Sequence, residues 1–131
     1  MLQVVNGLLL RDGQILMALR APDCPRYPNT WSFPGGGVED GETLEEALFR
    51  ELNEEIGIVP VNYELLKRIV TSEPESGQAI TFHLFAIRNW KGEIDNLGSE
   101  HAELRWVPVS KAGAFPNLAL TDYLQIFEAL S

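Results

Sequence analysis

Residues 35–57, GGGVEDGETLEEALFRELNEEIG, run from three consecutive glycines into a helix signal whose acids fall on an unexpected face. Thr43-Leu44-Glu45-Glu46 matches a capping box, in which Thr43 and Glu46 satisfy each other's backbone N–H groups. Gly57 suits the left-handed residue that ends a helix, so the signals predict a helix from Thr43 to Ile56. Its apolar stripe is Leu44, Ala47, Leu48, Leu52 and Ile56. At about 100° per residue, Glu51 and Glu55 lie roughly 40° apart, and each lies roughly 20° from a leucine of that stripe (Leu44 and Leu48). Glu54 borders them, and Arg50 sits one turn before Glu54.

A helix that uses its acids only for solubility carries them opposite its leucines, as Glu45, Glu46 and Asn53 broadly are. Carboxylates inside the packing stripe are desolvated and repel one another unless something positive joins them. Residues 39–55 hold eight acids and one base, Arg50, and so carry −7 of the chain's net charge of −9. One arginine does not balance Glu51, Glu54 and Glu55. A hard divalent cation would, because Mg²⁺ and Mn²⁺ favour carboxylate and carbonyl oxygens. Metal ligation is therefore preferred to a solvated acidic face.

The glycines ahead of the helix point the same way. A tight strand-to-helix turn needs one or two; three in a row cost chain entropy and supply no packing. They allow a ligand or metal to approach the backbone, and a carbonyl at Gly35 or Gly36 would complete an oxygen shell begun by the helix. A P-loop is excluded because no Gly-Lys-Ser/Thr follows. An EF-hand is excluded because the acids at 39, 40 and 42 do not alternate as its loop requires.

Around this core, VVNGLLL-RDG-QILMALR predicts a β-hairpin turning at Asp12-Gly13. APDCPRYPNT, with three prolines, predicts a surface loop, and WSF a short strand broken by Pro34 and the glycines. YELLKRIVTS, AITFHLFAIRNW and ELRWVPV predict further strands, and LTDYLQIFEAL a closing helix. Strands with a few interspersed helices imply an α+β chain, a mixed β-sheet covered by helices. With 131 residues and 45% hydrophobic content, residues 1–131 are expected to form a single domain. No basic stripe exists to neutralise many phosphates, so a long nucleic-acid partner is disfavoured. No apolar run approaches a membrane span, and the N-terminus has no signal-peptide pattern. Cys24 is the lone cysteine, which fits a cytoplasmic location.

Loop and helix together spell Gly36-x5-Glu42-x7-Arg50-Glu51-Leu52-x-Glu54-Glu55-x-Gly57-Ile58. This resembles the Nudix box, GX5EX7REUXEEXGU with U a bulky aliphatic residue, at every defined position of residues 36–58. The preceding WSFPGG, the hairpin ending at Arg20 and the later EHAELRWVP look like MutT-type Nudix hydrolases. The resemblance implies a Nudix fold, a mixed sheet sandwiched between α-helices, and hydrolysis of a nucleoside diphosphate linked to another moiety, with Mg²⁺ or Mn²⁺ as cofactor. It implies Glu51, Glu54 and Glu55 as metal ligands with the Gly35 carbonyl as a further one. Arg50 would orient the glutamates, and Glu42 would sit near the metal shell. A glutamate from a later loop is matched by Glu100, with Glu103 in reserve. Glu51 is the first choice of general base and Glu54 the second.

The expected substrate is a nucleoside triphosphate, cleaved to a monophosphate and pyrophosphate as MutT-like enzymes do. ADP-ribose or another diphosphate conjugate is the alternative, on the strength of Pro74, and a non-catalytic nucleotide-binding domain the second alternative. Candidate substrate-binding residues are Arg20, Phe33, Asn117 and Asp122. Trp31, Phe82 and Phe85 are read as core, with Phe33 the aromatic closest to the balance between core and base stacking. His83 is read as structural; His101, beside Glu100, is placed to visit the site, although exposed loop histidines are common. The partner is a small nucleotide, with neither membrane nor long nucleic acid, and the assembly a monomer or homodimer.

Overall fold

At the tip of the first hairpin, Asp12 and Gly13 both take positive φ, 53° and 74°. That backbone matches the twist of two strands joined by a two-residue turn. The computed structural model describes residues 2–130. Strand β1 (Leu2–Arg11) meets β2 (Gln14–Arg20) only next to the turn, at Leu10↔Ile15 and Arg11↔Gln14. Beyond it the strands part. β2 takes β3 (Trp31–Ser32) on one side and β7 (His101–Pro108) on the other. β1 runs parallel to β6 (Ala79–Lys91) from Leu2↔Ile80 to Leu9↔Ile87, and β5 (Val59–Ser72) closes that edge antiparallel to β6. The sheet is thus mixed, as expected.

The gap left where β1 and β2 diverge is filled by β4 (Gly35–Gly37), antiparallel to β1 through Val4↔Gly37, Val5↔Gly36 and Asn6↔Gly35. The glycines, expected to break the chain, are a strand. Glycine has poor strand propensity, and the reason for this pairing lies in close tertiary contacts described below. β5 also starts earlier than YELLKRIVTS suggests, at Val59; Pro60 is accommodated because β5 is an edge strand. Val109, expected to end a strand, instead opens the short helix α2 (Val109–Ala112), whose four residues are too few for a periodic signal.

Helix α1 (Leu44–Ile56) begins and ends as its caps predict. Thr43 Oγ1 accepts from the Glu46 amide at 3.1 Å, Glu46 Oε1 accepts from the Thr43 amide at 2.9 Å, and Gly57 takes φ 74°. Such a cap contributes about 1 kcal/mol. Alternation along β1 builds two cores. Val5 and Leu9 face α1 with Leu48, Leu52, Ile56 and Phe85, whereas Leu8 faces Phe33, Leu84 and helix α3 (Tyr123–Leu130) through Tyr123 and Phe127. Each fully buried leucine contributes about 1.5–3 kcal/mol. Helices therefore cover both faces of the sheet, an α+β sandwich. No helix among the described residues is long and apolar enough to cross a membrane.

Candidate active site

The face that α1 buries contains acids as well as leucines. Ala47, Leu48, Leu52 and Ile56 are fully buried, and Glu55 is only 5% exposed among them. The Glu51 side chain is 13% exposed, whereas that of Glu54 is 60% exposed. Glu51 and Glu55 thus sit in the packed face and Glu54 at its rim.

Strand β4 lies directly over these acids. The Gly35 amide donates to Glu55 Oε2 at 3.0 Å. A Cβ at Gly36 would fall 2.5 Å from the Glu51 carboxyl carbon, and one at Gly35 would fall 1.9 Å from the Val5 carbonyl oxygen. At 35 the β1 backbone and at 36 the Glu51 carboxylate crowd out a side chain, whereas a Cβ at Gly37 would meet nothing nearer than 4.0 Å. What approaches the glycine backbone is first of all the protein's own acids.

Arg50 gathers the outer acids. Its Nε donates to Glu42 Oε2 at 2.7 Å and its Nη2 to Glu42 Oε1 at 2.9 Å, a two-pronged, charge-assisted pair. Nη2 also donates to the Gly37 carbonyl, and Nη1 donates to Glu51 Oε1 at 2.8 Å. Glu54 Oε2 stands 3.5 Å from Nη1. Hydrogen bonds from Arg50 hold the Glu42 carboxyl down at about 2. Those to Glu42 and Glu51 raise the guanidinium above its already high value. For Glu51, burial outweighs Arg50 and raises the carboxyl, with Glu100 and Glu54 adding to the rise.

The inner acid has a different company. Glu55, Glu100 and His101 each bring one donor atom to a point where all three lie within 4.8 Å of one another. Glu100 is fixed from behind, its carbonyl accepting from the Ala21 amide at 2.9 Å and from Cys24 Sγ at 3.3 Å. Burial first, and then the nearby Glu100 and Glu51 carboxylates, push Glu55 up to about 10; burial pulls His101 down to about 4. His101 Nε2 stands 3.1 Å from Glu55 Oε1. The two atoms are not aligned for a hydrogen bond, so both remain without a partner. A buried polar atom left so costs about 1–3 kcal/mol. An orphaned carboxylate oxygen beside a second carboxylate fits a bound cation, and the donor set suits a divalent one.

A family model described as the NUDIX domain matches residues 1–128. The chain belongs to the NUDIX family. It resembles the 8-oxo-dGTP diphosphatase of Haemophilus influenzae, 39% identical over 118 residues covering 88% of this chain and 83% of that protein. It is also 35% identical to the CTP pyrophosphohydrolase of Escherichia coli over 133 aligned residues, 99% of this chain and 93% of the other. The crystal structure of a MutT NUDIX hydrolase from Burkholderia pseudomallei shares the fold, with a TM-score of 0.85 over 99% of this chain and 98% of that one, at 23% identity. The chain is a Nudix hydrolase of phosphoanhydride bonds, with a nucleotide pyrophosphohydrolase activity.

Glycines of the Nudix box line a cleft of about 180 Å³, together with Glu100, Arg20, Arg26 and Tyr27. Roomier hollows near Arg11 and Trp90 are lined by neither the β4 glycines nor Glu100. Arg20 lies in the cleft wall, its Nε donating to the Arg26 carbonyl at 2.8 Å. Phe33 does not. It is 1% exposed and packs its ring on Tyr123 at 4.7 Å, so it belongs to the core beneath the cleft and stacks on no ligand. Asn117 and Asp122 are absent from the cleft lining; Asn117 Nδ2 instead donates to the Asn29 carbonyl, joining two loops. Trp31, Phe82 and Phe85 are buried, as expected. Glu103 pairs with Arg105 at 2.7 Å, away from Glu55, so Glu100 is the acid that joins the cluster. His83 is structural, held between Gln3 and Arg68.

Of the two readings of His101, the exposed loop residue fails: it is 4% exposed at the start of β7, beside Glu55 and Glu100. Arg26, Tyr27 and the buried Asn6 also line the cleft without having been singled out. Asn6 carried a signal, a polar side chain in the middle of an otherwise apolar strand; the loop residues carried none.

Proposed function

We propose that residues 1–131 form one catalytic unit, a Mg²⁺- or Mn²⁺-dependent nucleoside triphosphate pyrophosphohydrolase that yields a nucleoside monophosphate and pyrophosphate. The observation that carries this reading is the buried Glu55, whose Oε1 has no partner although Glu100 and Glu51 crowd toward it. Glu51, Glu54, Glu55 and Glu100, with the Gly35 carbonyl, would hold the cation. When bound, it would neutralise phosphate charge and acidify a water. Glu51 is the general base. Arg50 occupies its Oε1, which leaves Oε2 to take the water's proton, and its raised affinity for that proton suits the task. Arg50 keeps Glu51 in place and Glu42 keeps Arg50 in place. Across the cleft, Arg20 and Arg26 face the phosphate chain.

A triphosphate is preferred to ADP-ribose because the relatives named above are called 8-oxo-dGTP diphosphatase and CTP pyrophosphohydrolase. We place the enzyme in the cytoplasm, as a monomer or homodimer. The test is a product-release panel of standard and oxidised nucleoside triphosphates, ADP-ribose and dinucleoside polyphosphates, with and without Mg²⁺. Pyrophosphate released from triphosphates only with metal supports the reading. AMP released from ADP-ribose alone, or silence throughout, overturns it.

A further inference from the structure

β7 enters the sheet through an irregularity. Glu103 pairs with Leu19 and His101 with Arg20, so Ala102 is the extra residue of a bulge. Bulges re-aim side chains, and this one turns His101 inward beside Glu100. The segment is tied down on both sides. Asn96 Nδ2 donates to the His101 carbonyl at 2.8 Å, and the Leu97 amide donates to the Glu55 carbonyl at 2.9 Å. The imidazole is therefore held against Glu55 by backbone contacts rather than by a hydrogen bond of its own, and both ring nitrogens lack a partner.

We propose that His101 Nε2 is a ligand of the divalent cation held by Glu55 and Glu100, which gives this site a nitrogen donor and a preference for Mn²⁺ over Mg²⁺. The proposal rests on the metal-dependent reading above and adds a residue outside the Nudix box. Its first support is geometry. Two atoms 3.1 Å apart that do not point at each other have the spacing of neighbouring ligands on one ion with bonds of about 2.1 Å. Its second support is burial. The His101 side chain is 1% exposed and that of Glu55 is 7% exposed, so neither orphaned atom has bulk water as a substitute partner. The third is donor chemistry. Both ions favour oxygen, but Mn²⁺, a first-row transition ion, accepts an imidazole nitrogen more readily than Mg²⁺, which dehydrates reluctantly and keeps its waters. A histidine that only steadied Glu55 would instead aim its N–H along the line to Oε1.

Pulsed electron paramagnetic resonance on the full chain loaded with Mn²⁺ tests this directly. The expected result is nitrogen modulation from one histidine, which changes on ¹⁵N-histidine labelling and disappears in His101→Gln. Calorimetric titration of His101→Gln with each metal alone should show Mn²⁺ affinity lower by about tenfold or more, with Mg²⁺ affinity changed much less. His83→Gln, which should keep the modulation, assigns the labelled signal to the other of the chain's two histidines even if the His101 variant does not fold. Mn²⁺ bound in a Glu55-dependent manner without nitrogen coupling overturns the proposal and leaves the enzyme reading intact. Failure of Mn²⁺ to bind at all overturns both.

Discussion

Gly36 lies so close to Glu51 that a Cβ on it would fall 2.5 Å from the carboxyl carbon, whereas a Cβ on neighbouring Gly35 would strike the backbone oxygen of Val5 at 1.9 Å. The two glycines should fail differently. In Gly36→Ala the obstacle is the end of a flexible side chain, which can swing aside, so the protein folds with its melting temperature lowered by a few degrees. The displaced Glu51 would cost about 10²-fold in turnover. Gly35→Ala meets backbone, and the residue also has φ 154°, so it should not fold stably. Thermal melts with turnover assays check the pair, and a fully active Gly36→Ala would remove Glu51 from the chemistry.

Glu54 offers a cleaner separation of fold from function. Its side chain is 60% exposed and its nearest charge is Arg50 at 3.5 Å. Glu54→Gln should therefore change stability by less than about 0.5 kcal/mol. Its turnover should fall by about 10²-fold or more if it holds the cation or moves a proton. Glu45→Gln, exposed on the same helix, is the control and should behave as wild type. Near-normal turnover of Glu54→Gln at saturating Mg²⁺ would exclude it from the site.

Glu42 should make the site's outer ring acid-sensitive. Arg50 holds its carboxyl at about 2 in the folded protein, against an ordinary value of 4.5. Because the folded value is depressed, the stabilisation is fully present above about 4.5, shrinks as pH falls through that window and is gone below about 2. Urea unfolding should show wild type more stable than Glu42→Gln near neutrality, with the gap closing toward pH 2. A gap that does not change with pH would mean that Glu42 acts by packing alone.

What was legible beforehand follows the range of the interactions. Thr43, Glu46 and Gly57 announce α1 within a few residues of one another, and helical periodicity alone places Glu51 and Glu55 in its packed face. Strand β4 was hidden because glycines have poor strand propensity; Gly35 and Gly36 are glycine because Val5 and Glu51, distant in sequence, crowd out anything larger. His101 meets Glu55 across 46 positions by way of a bulge, and neither the bulge nor the burial has a local pattern. Phe33 illustrates the opposite error. It stood near the balance between core and base stacking, yet it is 1% exposed and its ring packs against Tyr123 and Phe127.

Glu55 should make the metal-free protein lose stability as pH rises. Its folded value is pushed up to about 10, against an ordinary 4.5. Between those values the folded state keeps a proton that the unfolded state has released, so unfolding stability declines with increasing pH across that window. Glu55→Gln keeps the shape and the acceptor for the Gly35 amide but cannot ionise. In EDTA it should match wild type near pH 4.5 and melt about 5 °C higher by pH 8. Adding Mn²⁺ should reverse the order, because an ionised Glu55 gains a cation and the amide gains little. The same binding should release a proton from wild type, seen as a calorimetric heat that varies with the ionisation enthalpy of the buffer. Parallel pH profiles for the two metal-free proteins, together with no proton release, would show that Glu55 is already ionised and that its burial is balanced by something other than a proton.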